Sequence, residues 1–261
     1  MAGIAELPKS LTPTATPTAI RRATAIPAAP LDLIIPVLNE ELRIGRTLAA
    51  LAEHIDLAGH PVRLIVVDNG SVDATVSVVE RDCRGLDVEV ISCRHRGKGA
   101  AVRTGMLHSR APRVGFCDAD LSTPLSTFGT ALELLDAGCP AVIASRRVAG
   151  ASYAVRQPMV RRAGSQAFGR IAAPLVGPIR DTQCGFKLFD GDLAREVFAD
   201  MQLNGFAFDV ELIARLLRRG VEVAEVAVAW TDDADSTFSP MRDGYAAFRD
   251  LMLIKRALRH A

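Results

Sequence analysis

The chain has 261 residues, 49% of them hydrophobic and 23% charged, with a formal net charge of +1 at neutral pH. That size suits one sizeable core better than two full domains. The near-neutral balance excludes the broad basic field of a nucleic-acid binder, so any anion site must be local.

Residues 1–30 are rich in Ala, Thr and Pro, and such a stretch cannot bury enough apolar surface to offset its ordering entropy; a disordered tail is predicted. No apolar h-region follows the start, which argues against a secretory signal. From Leu31 onward, short apolar runs alternate with helical patterns. Strands are predicted at 32–37, 62–67, 87–92, 113–117 and 141–145, and helices at 40–57, 73–81, 99–109 and 125–137. This alternation implies βαβ units and a mainly parallel sheet, an α/β fold of Rossmann type. Residues 150–180 read as one helix plus loops. Beyond them come a strand near 185–189, helices around 191–200 and 208–219, and a strand at 222–230. An amphipathic helix over 241–259 closes the chain and is expected to pack on the domain. No run reaches the ~20 apolar residues of a membrane-spanning helix.

The five cysteines (Cys83, Cys93, Cys117, Cys139, Cys184) are odd in number and lack metal-ligand spacing. They argue against a disulfide framework or a zinc site and fit a reducing, cytoplasmic setting. Of the 31 basic residues only Lys9, Lys98, Lys187 and Lys255 are lysines, so basic chemistry falls mostly to arginine, whose planar fork suits phosphate oxygens.

Asp118-Ala119-Asp120 directly follows the apolar run 113–117. The carboxyl edge of a parallel sheet is where open α/β folds place ligands. If the segment stays extended, both carboxylates face one side. Two such groups repel unless a proton or cation lies between them, and a divalent ion shared with a diphosphate answers that need. The plainer reading is that Asp118 ends a strand and Asp120 caps the next helix.

Further segments occur in order around that pair: IIPVLNEE at 34–41, VVDNGSVDAT at 66–75, RGKGAAVRTGM at 96–106, DADLSTP at 118–124, DTQCGFKLF at 181–189 and FAFDVEL at 206–212. Together they resemble the family-2 inverting glycosyltransferases, and within them the dolichyl-phosphate β-glucosyltransferases and polyprenyl-phosphate mannosyltransferases. The likeness spans roughly residues 31–250. It implies a single GT-A domain, a nucleotide-sugar donor (UDP-glucose or GDP-mannose), a polyprenyl phosphate acceptor, and Mg²⁺ or Mn²⁺ as cofactor. It implies donor contacts at Pro36, Asn39, Glu40, Asp68, Lys98, Asp118, Ala119 and Asp120, and a metal held by Asp118 and Asp120, with Ser122 as a weaker ligand. Where the family usually has two aspartates, this chain has Asp68-Asn69, and near 235–238 it has Ser236-Thr237 instead of a Ser-Lys pair.

The resemblance also implies acceptor and catalytic roles. Arg146, Arg161 and Arg162 would hold the acceptor phosphate, with Arg147 and Arg156 nearby. Asp181 would touch the sugar or orient the catalytic groups. A phosphate monoester, with its second pKa near ~6, attacks without a general base, whereas a hydroxyl acceptor would need one, with Asp209 the runner-up. Each residue has a structural alternative: a solvated arginine, a loop cap at Asp181, an N-cap at Asp209, and packing at Cys184.

An enzyme acting on a polyprenyl phosphate without a span must lie on the membrane, at its cytoplasmic face. Residues 165–178, with one charge at Arg170, are the better candidate for that contact; the stripe on the last helix is expected to pack on the core. Two rivals stand beside this reading. One is a soluble family-2 enzyme acting on a small phosphorylated or hydroxylated metabolite, and the other a non-catalytic nucleotide-binding partner.

Overall fold

A computed structural model describes residues 31–58, 61–83, 85–153, 159–230 and 242–257. The predicted tail, Arg156 and Ser236-Thr237 lie outside the described residues. The elements run β1 (Leu31–Val37), α1 (Ile44–Ala58), β2 (Val62–Asp68), α2 (Thr75–Asp82), β3 (Asp87–Ser92), α3 (Lys98–His108), β4 (Arg113–Cys117), α4 (Thr127–Asp136), β5 (Ala141–Ser145) and β6 (Ser152–Tyr153). There follow α5 (Met159–Val176), β7 (Phe186–Asp190), α6 (Gly191–Asp200), α7 (Phe208–Arg218), β8 (Val223–Ala227), β9 (Ala229–Trp230) and α8 (Arg242–Ala257).

Seven strands form one sheet in the order β3-β2-β1-β4-β7-β5-β8. All neighbours are parallel except β7, which runs antiparallel to both β4 and β5. The strands are apolar on both faces because both faces are covered, as buried parallel sheets require. Alternation along β1 sorts its side chains. Leu33, Ile35 and Val37 join Ile44 and Leu48 of α1, Val79 of α2 and Phe128 of α4 in one core. Ile34 joins Met106 of α3, Phe198 of α6 and Phe208 of α7 in the other.

The two ends of the sheet differ. At the amino end, Asp32 is buried, accepts two bonds from Arg63 (2.9 and 2.5 Å) and a third from Ser109 Oγ (2.6 Å). That end is tied shut. At the carboxyl end, the ladder between β1 and β4 stops at Ile34 opposite Phe116, and Pro36, with no N–H to extend it, lies beyond. The strands part there, at the point where the strand order reverses and open α/β sheets form their crevice.

Several boundaries differ from the sequence reading. Helix α1 starts at Ile44 rather than Glu40, because Asn39 and Glu40 are spent on the neighbouring loop. Helix α2 starts at Thr75 rather than Asp73, whose carboxylate accepts from Thr75 N and Oγ1 (3.0 and 2.5 Å). The strand read as 222–230 breaks at Val228, where its N–H turns to Ser145 O (3.1 Å) and its carbonyl accepts from Ser152 (3.1 Å).

Both apolar stripes are divided between core and surface. In α5, Ala172 and Val176 are buried in the core, and among its described side chains Ile171 is the exposed large hydrophobic. Helix α8 buries Leu251 and Ile254 yet exposes Phe248, Met252 and Leu253. No described helix is long and apolar enough to cross a membrane.

Candidate active site

Two loops clasp each other at the mouth of the crevice. Asn39 N–H donates to Ser71 Oγ (3.0 Å) while its own Oδ1 accepts from Val72 N (2.9 Å). Glu40 N–H donates to Thr75 Oγ1 (2.7 Å), and the Glu40 carboxylate pairs with Arg43 (2.9 Å). Asp68, at the tip of β2, accepts from Ser71 N (3.0 Å). Asn39 and Leu121 are the two described non-glycine residues with positive φ, at 57° and 49°. They sit just past β1 and β4, on either side of the switch point, where strained backbone re-aims the chain.

The carboxylate pair follows β4 on a turn, not on extended chain. Leu121 N–H donates back to Asp118 O (3.2 Å), so alternation is not what joins Asp118 and Asp120. The turn is held from below: Thr47 Oγ1 of α1 donates to Ala119 O, and the Ala119 side chain is buried in the core. Ala119 therefore anchors the turn rather than offering a side chain to a ligand. Asp120 Oδ1 accepts from Ser122 N (2.9 Å), and Ser126, not Asp120, is the N-cap of α4. Burial, and then the charge of Asp118, push the Asp120 carboxyl above its ordinary range. Gly185 makes room for the pair. Its carbonyl accepts from Asp118 N (3.0 Å), and a Cβ there would fall inside the Asp118 carboxylate.

Lys98 closes this group from α3, with Nζ 2.5 Å from Asp118 Oδ1. Burial opposes its charge, but Asp118, Asp209 and Asp120 outweigh that and raise its pKa. Its placement depends on the loop before it. Buried Asn69 donates through Nδ2 to His95 O (2.7 Å) and accepts through Oδ1 from Gly97 N (2.7 Å). A carboxylate could make only the second of these bonds, which accounts for Asn at this position. Gly97 itself has φ 121° and lies against Asn204 O, where a Cβ has no room.

On the far side of the turn, Asp181 is buried and grips Arg146. Oδ2 accepts from Arg146 Nε (2.7 Å) and N (2.9 Å), and Oδ1 from Nη2 (2.8 Å). Burial would raise the Asp181 carboxyl, but the bonds and charge of Arg146 hold it below the ordinary carboxylate range. The guanidinium also lies over the Trp230 ring, 4.7 Å from its centroid, in a cation–π contact. Arg147 points elsewhere, toward Gly169 of α5 and Arg180 O. Arg161 and Arg162 stand in α5, with side chains outside the described residues.

Asp209, in the first turn of α7, is not the N-cap, which is Ala207. Its Oδ1 accepts instead from Lys187 Nζ (2.6 Å), which also donates to Cys184 O (2.7 Å). Burial pushes the Asp209 carboxyl up against the opposing charges of Lys187 and Lys98. Cys184 is packing: it is fully buried, and burial pushes its thiol up to about 11. Lys187 and Trp230 are the residues that sequence reasoning missed. A lysine inside FKLF looks like one of the solvated positions of a strand, and a single tryptophan ahead of a polar stretch of sequence carries no chemical signature.

These observations place an acidic turn, a lysine and a pinned arginine around one crevice. The sequence profile of glycosyl transferase family 2 matches residues 32–198. The chain belongs to that family. Dolichyl-phosphate beta-glucosyltransferase of Drosophila melanogaster is 32% identical over 248 residues, covering 87% of this chain and 75% of the relative. The human protein of the same name is 30% identical over 251 residues, covering 88% and 76%. A crystal structure of glucosyl-3-phosphoglycerate synthase from Mycobacterium tuberculosis, in complex with Mn²⁺, UDP and glucosyl-3-phosphoglycerate, superposes with a TM-score of 0.64 at 19% identity, over 88% of this chain and 79% of that one. This family-2 glycosyltransferase accordingly has the GT-A fold, a single α/β domain on a mostly parallel sheet.

The donor set suits a hard divalent cation. Asp118 and Asp120 feel each other's charge on one turn and are oxygen donors of the kind such an ion takes, with further positions left to phosphate oxygens; among the described residues no third His, Cys, Asp or Glu joins them. The Lys98 ammonium on Asp118 shows that a cation is already accommodated at this turn.

Proposed function

We propose that this enzyme transfers glucose from UDP-glucose to a polyprenyl phosphate of the dolichyl type, with inversion at the anomeric carbon and with Mg²⁺ or Mn²⁺ as cofactor. The observation that carries the reading is an acidic turn, Asp118 and Asp120, that binds Lys98 and meets, through Gly185, the loop whose Asp181 pins Arg146. We read Asp118, Asp120 and Lys98 as the donor side and Arg146 as the acceptor side. The names of the relatives supply the sugar and the lipid, favouring glucose over mannose.

The residues divide the work as follows. The clasp of Asn39 and Glu40 with 71–75, beside Pro36 and Asp68, receives the nucleoside. Lys98 leaves Asp118 for the donor phosphates when they arrive, favoured by the α3 N-terminus. A cation bound by Asp118 and Asp120 would neutralise the charge that grows on the leaving diphosphate, with Ser122 supporting Asp120. Arg146, with Arg161 and Arg162 of α5, holds the acceptor phosphate, because charge-assisted bonds to arginine are strong and directional. The acceptor is an anion and needs no base. The engagement of Asp209 by Lys187 in the interior supports that choice over a hydroxyl acceptor, since Asp209 is committed to an ion pair.

The lipid acceptor calls for an interfacial face, which we assign to α8 at the cytoplasmic membrane surface. Phe248 and Met252 are exposed there, one turn apart, with Arg249, Lys255 and Arg256 beside them. Apolar side chains flanked by cations suit anionic headgroups.

The test is transfer of labelled glucose from UDP-glucose to a short polyprenyl phosphate, read as label extracted into organic solvent. Label that depends on divalent metal and disappears in Asp120→Ala is the expected result. Turnover of UDP-glucose with no lipid product would sink the lipid acceptor, and label that survives both the chelator and Asp120→Ala would sink the metal role.

A further inference from the structure

Two buried donors lie beside Arg146 with nothing to bond. Among the described residues, the buried side-chain nitrogens or oxygens without a hydrogen-bond partner are Gln183 Nε2 and Trp230 Nε1. Leaving a buried donor unpaired is costly enough that each such group calls for an explanation.

The two are parts of one constellation. Trp230 is only 7% exposed, and its ring lies under the Arg146 guanidinium. Its backbone is fixed by the pairing of β9 with β6 and by the Val228 bond to Ser145 at the end of β5. Gln183 N–H donates to Asp181 Oδ1 (3.2 Å), the oxygen that also accepts from Arg146 Nη2. Two residues further along the same loop, Gly185 lies against the Asp118 carboxylate. The unpaired donors thus belong to the wall that joins Arg146 to the carboxylate turn.

Chemistry narrows what they wait for. An indole N–H and a guanidinium only donate, and the atom of the Gln183 amide left unpaired is its NH₂ nitrogen, a donor as well. A sugar hydroxyl must also place its own proton on an acceptor. A phosphate group has oxygens that accept and nothing to donate when ionised. We propose that Gln183 Nε2 and Trp230 Nε1 bind phosphate oxygens of the acceptor, as two neutral donors completing the cradle that Arg146 begins. The identity of the phosphate as that of a prenyl acceptor rests on the function proposed above; the phosphate site itself does not.

Trp230 is the chain's only tryptophan, so its emission reads this site directly. The full-length protein is titrated with farnesyl phosphate, inorganic phosphate, farnesol and UDP-glucose. Emission should respond to farnesyl phosphate and, at higher concentration, to inorganic phosphate, and not to farnesol. Gln183→Glu keeps the shape of the side chain but replaces the donor with a repelling oxygen, and Trp230→Phe keeps a ring beneath Arg146 without the N–H. Each should raise KM for farnesyl phosphate at least fivefold and leave KM for UDP-glucose within twofold, with thermal unfolding confirming that the variants fold. Calorimetry replaces fluorescence for Trp230→Phe. If KM for UDP-glucose moves instead, or neither KM moves by more than twofold, the assignment is overturned. If wild type never glycosylates farnesyl phosphate, yet its emission responds to inorganic phosphate and Gln183→Glu abolishes the response, the lipid acceptor is wrong and the phosphate site stands.

Discussion

Asp181 spends both oxygens on a single guanidinium, and Arg146 spends most of its fork on that carboxylate, so the arginine reaches the crevice in one orientation. Removing one partner of a buried pair leaves the other charge uncompensated, at a cost of about 3–5 kcal/mol. Asp181→Asn should therefore destabilise the fold by about that amount in urea unfolding at pH 7. The sign of the pH dependence follows from the direction of the shift. The Asp181 carboxyl is held below its ordinary range, so its contribution is complete above the unfolded-state value and is lost as pH falls through the depressed folded value. The stability gap between wild type and Asp181→Asn should close as pH falls below ~4; a gap that stays constant down to pH 2 would show that the ion pair is not its source. In the sequence, Asp181 and Arg146 read as two separate candidates. Their union needs strands β5 and β7 side by side, and nothing across a sequence separation of 35 announces that.

Lys187 and Asp209 tie an element to an element. Strand β7 brings the lysine into the sheet with no exposure at all, α7 brings the aspartate, and the ammonium also rests 5.0 Å from the Phe116 ring centroid of β4. Lys187→Met alone leaves a bare carboxylate in the core and should cost about 3–5 kcal/mol, whereas adding Asp209→Leu should recover most of it, because a packed apolar pair commonly equals a buried ion pair in stability. A double variant no more stable than the single one in urea unfolding would mean that the ion pair does more than neutralise itself. This pair also marks where the sequence stops being legible. The order strand, helix, strand is written in the runs 32–37, 62–67 and 113–117, because a two-sided buried sheet needs continuous apolar residues. The antiparallel insertion of β7 between β4 and β5 is not, since a short strand such as FKLFD carries no direction in its sequence. The carboxylates at 118 and 120 are legible because they follow such a run, but the turn that joins them is set by Leu121 at positive φ and by Thr47 from a helix 72 residues earlier.

The molecule as a whole is polar in the plain sense: closed at one end of its sheet and open at the other. Asp32, Arg63 and Ser109 lock the amino edge, and every proposed site residue with a described side chain gathers toward the carboxyl edge. Helix α8 reaches that edge from the side. Gly205, just ahead of α7, approaches Asp250 of α8, and its neighbour Asn204 accepts from Ala100 N at the start of the helix that carries Lys98. The surface formed by Phe248, Met252, Lys255 and Arg256 thus belongs to a helix that reaches the 204–205 loop, which in turn meets the start of α3. An amphipathic face holds a membrane by apolar insertion and by attraction to anionic lipid, and the second weakens with salt. Phe248→Glu combined with Met252→Glu should lower sedimentation with anionic vesicles at least tenfold, and the ratio of turnover on vesicle-embedded to short-chain acceptor should fall with it. Unchanged sedimentation would take the membrane role away from α8 and return it to the exposed side of α5 around Ile171. Loss of turnover on both acceptors alike would instead mean that this face supports the fold of the 204–205 loop, and that its apolar residues face water for a reason unrelated to lipid.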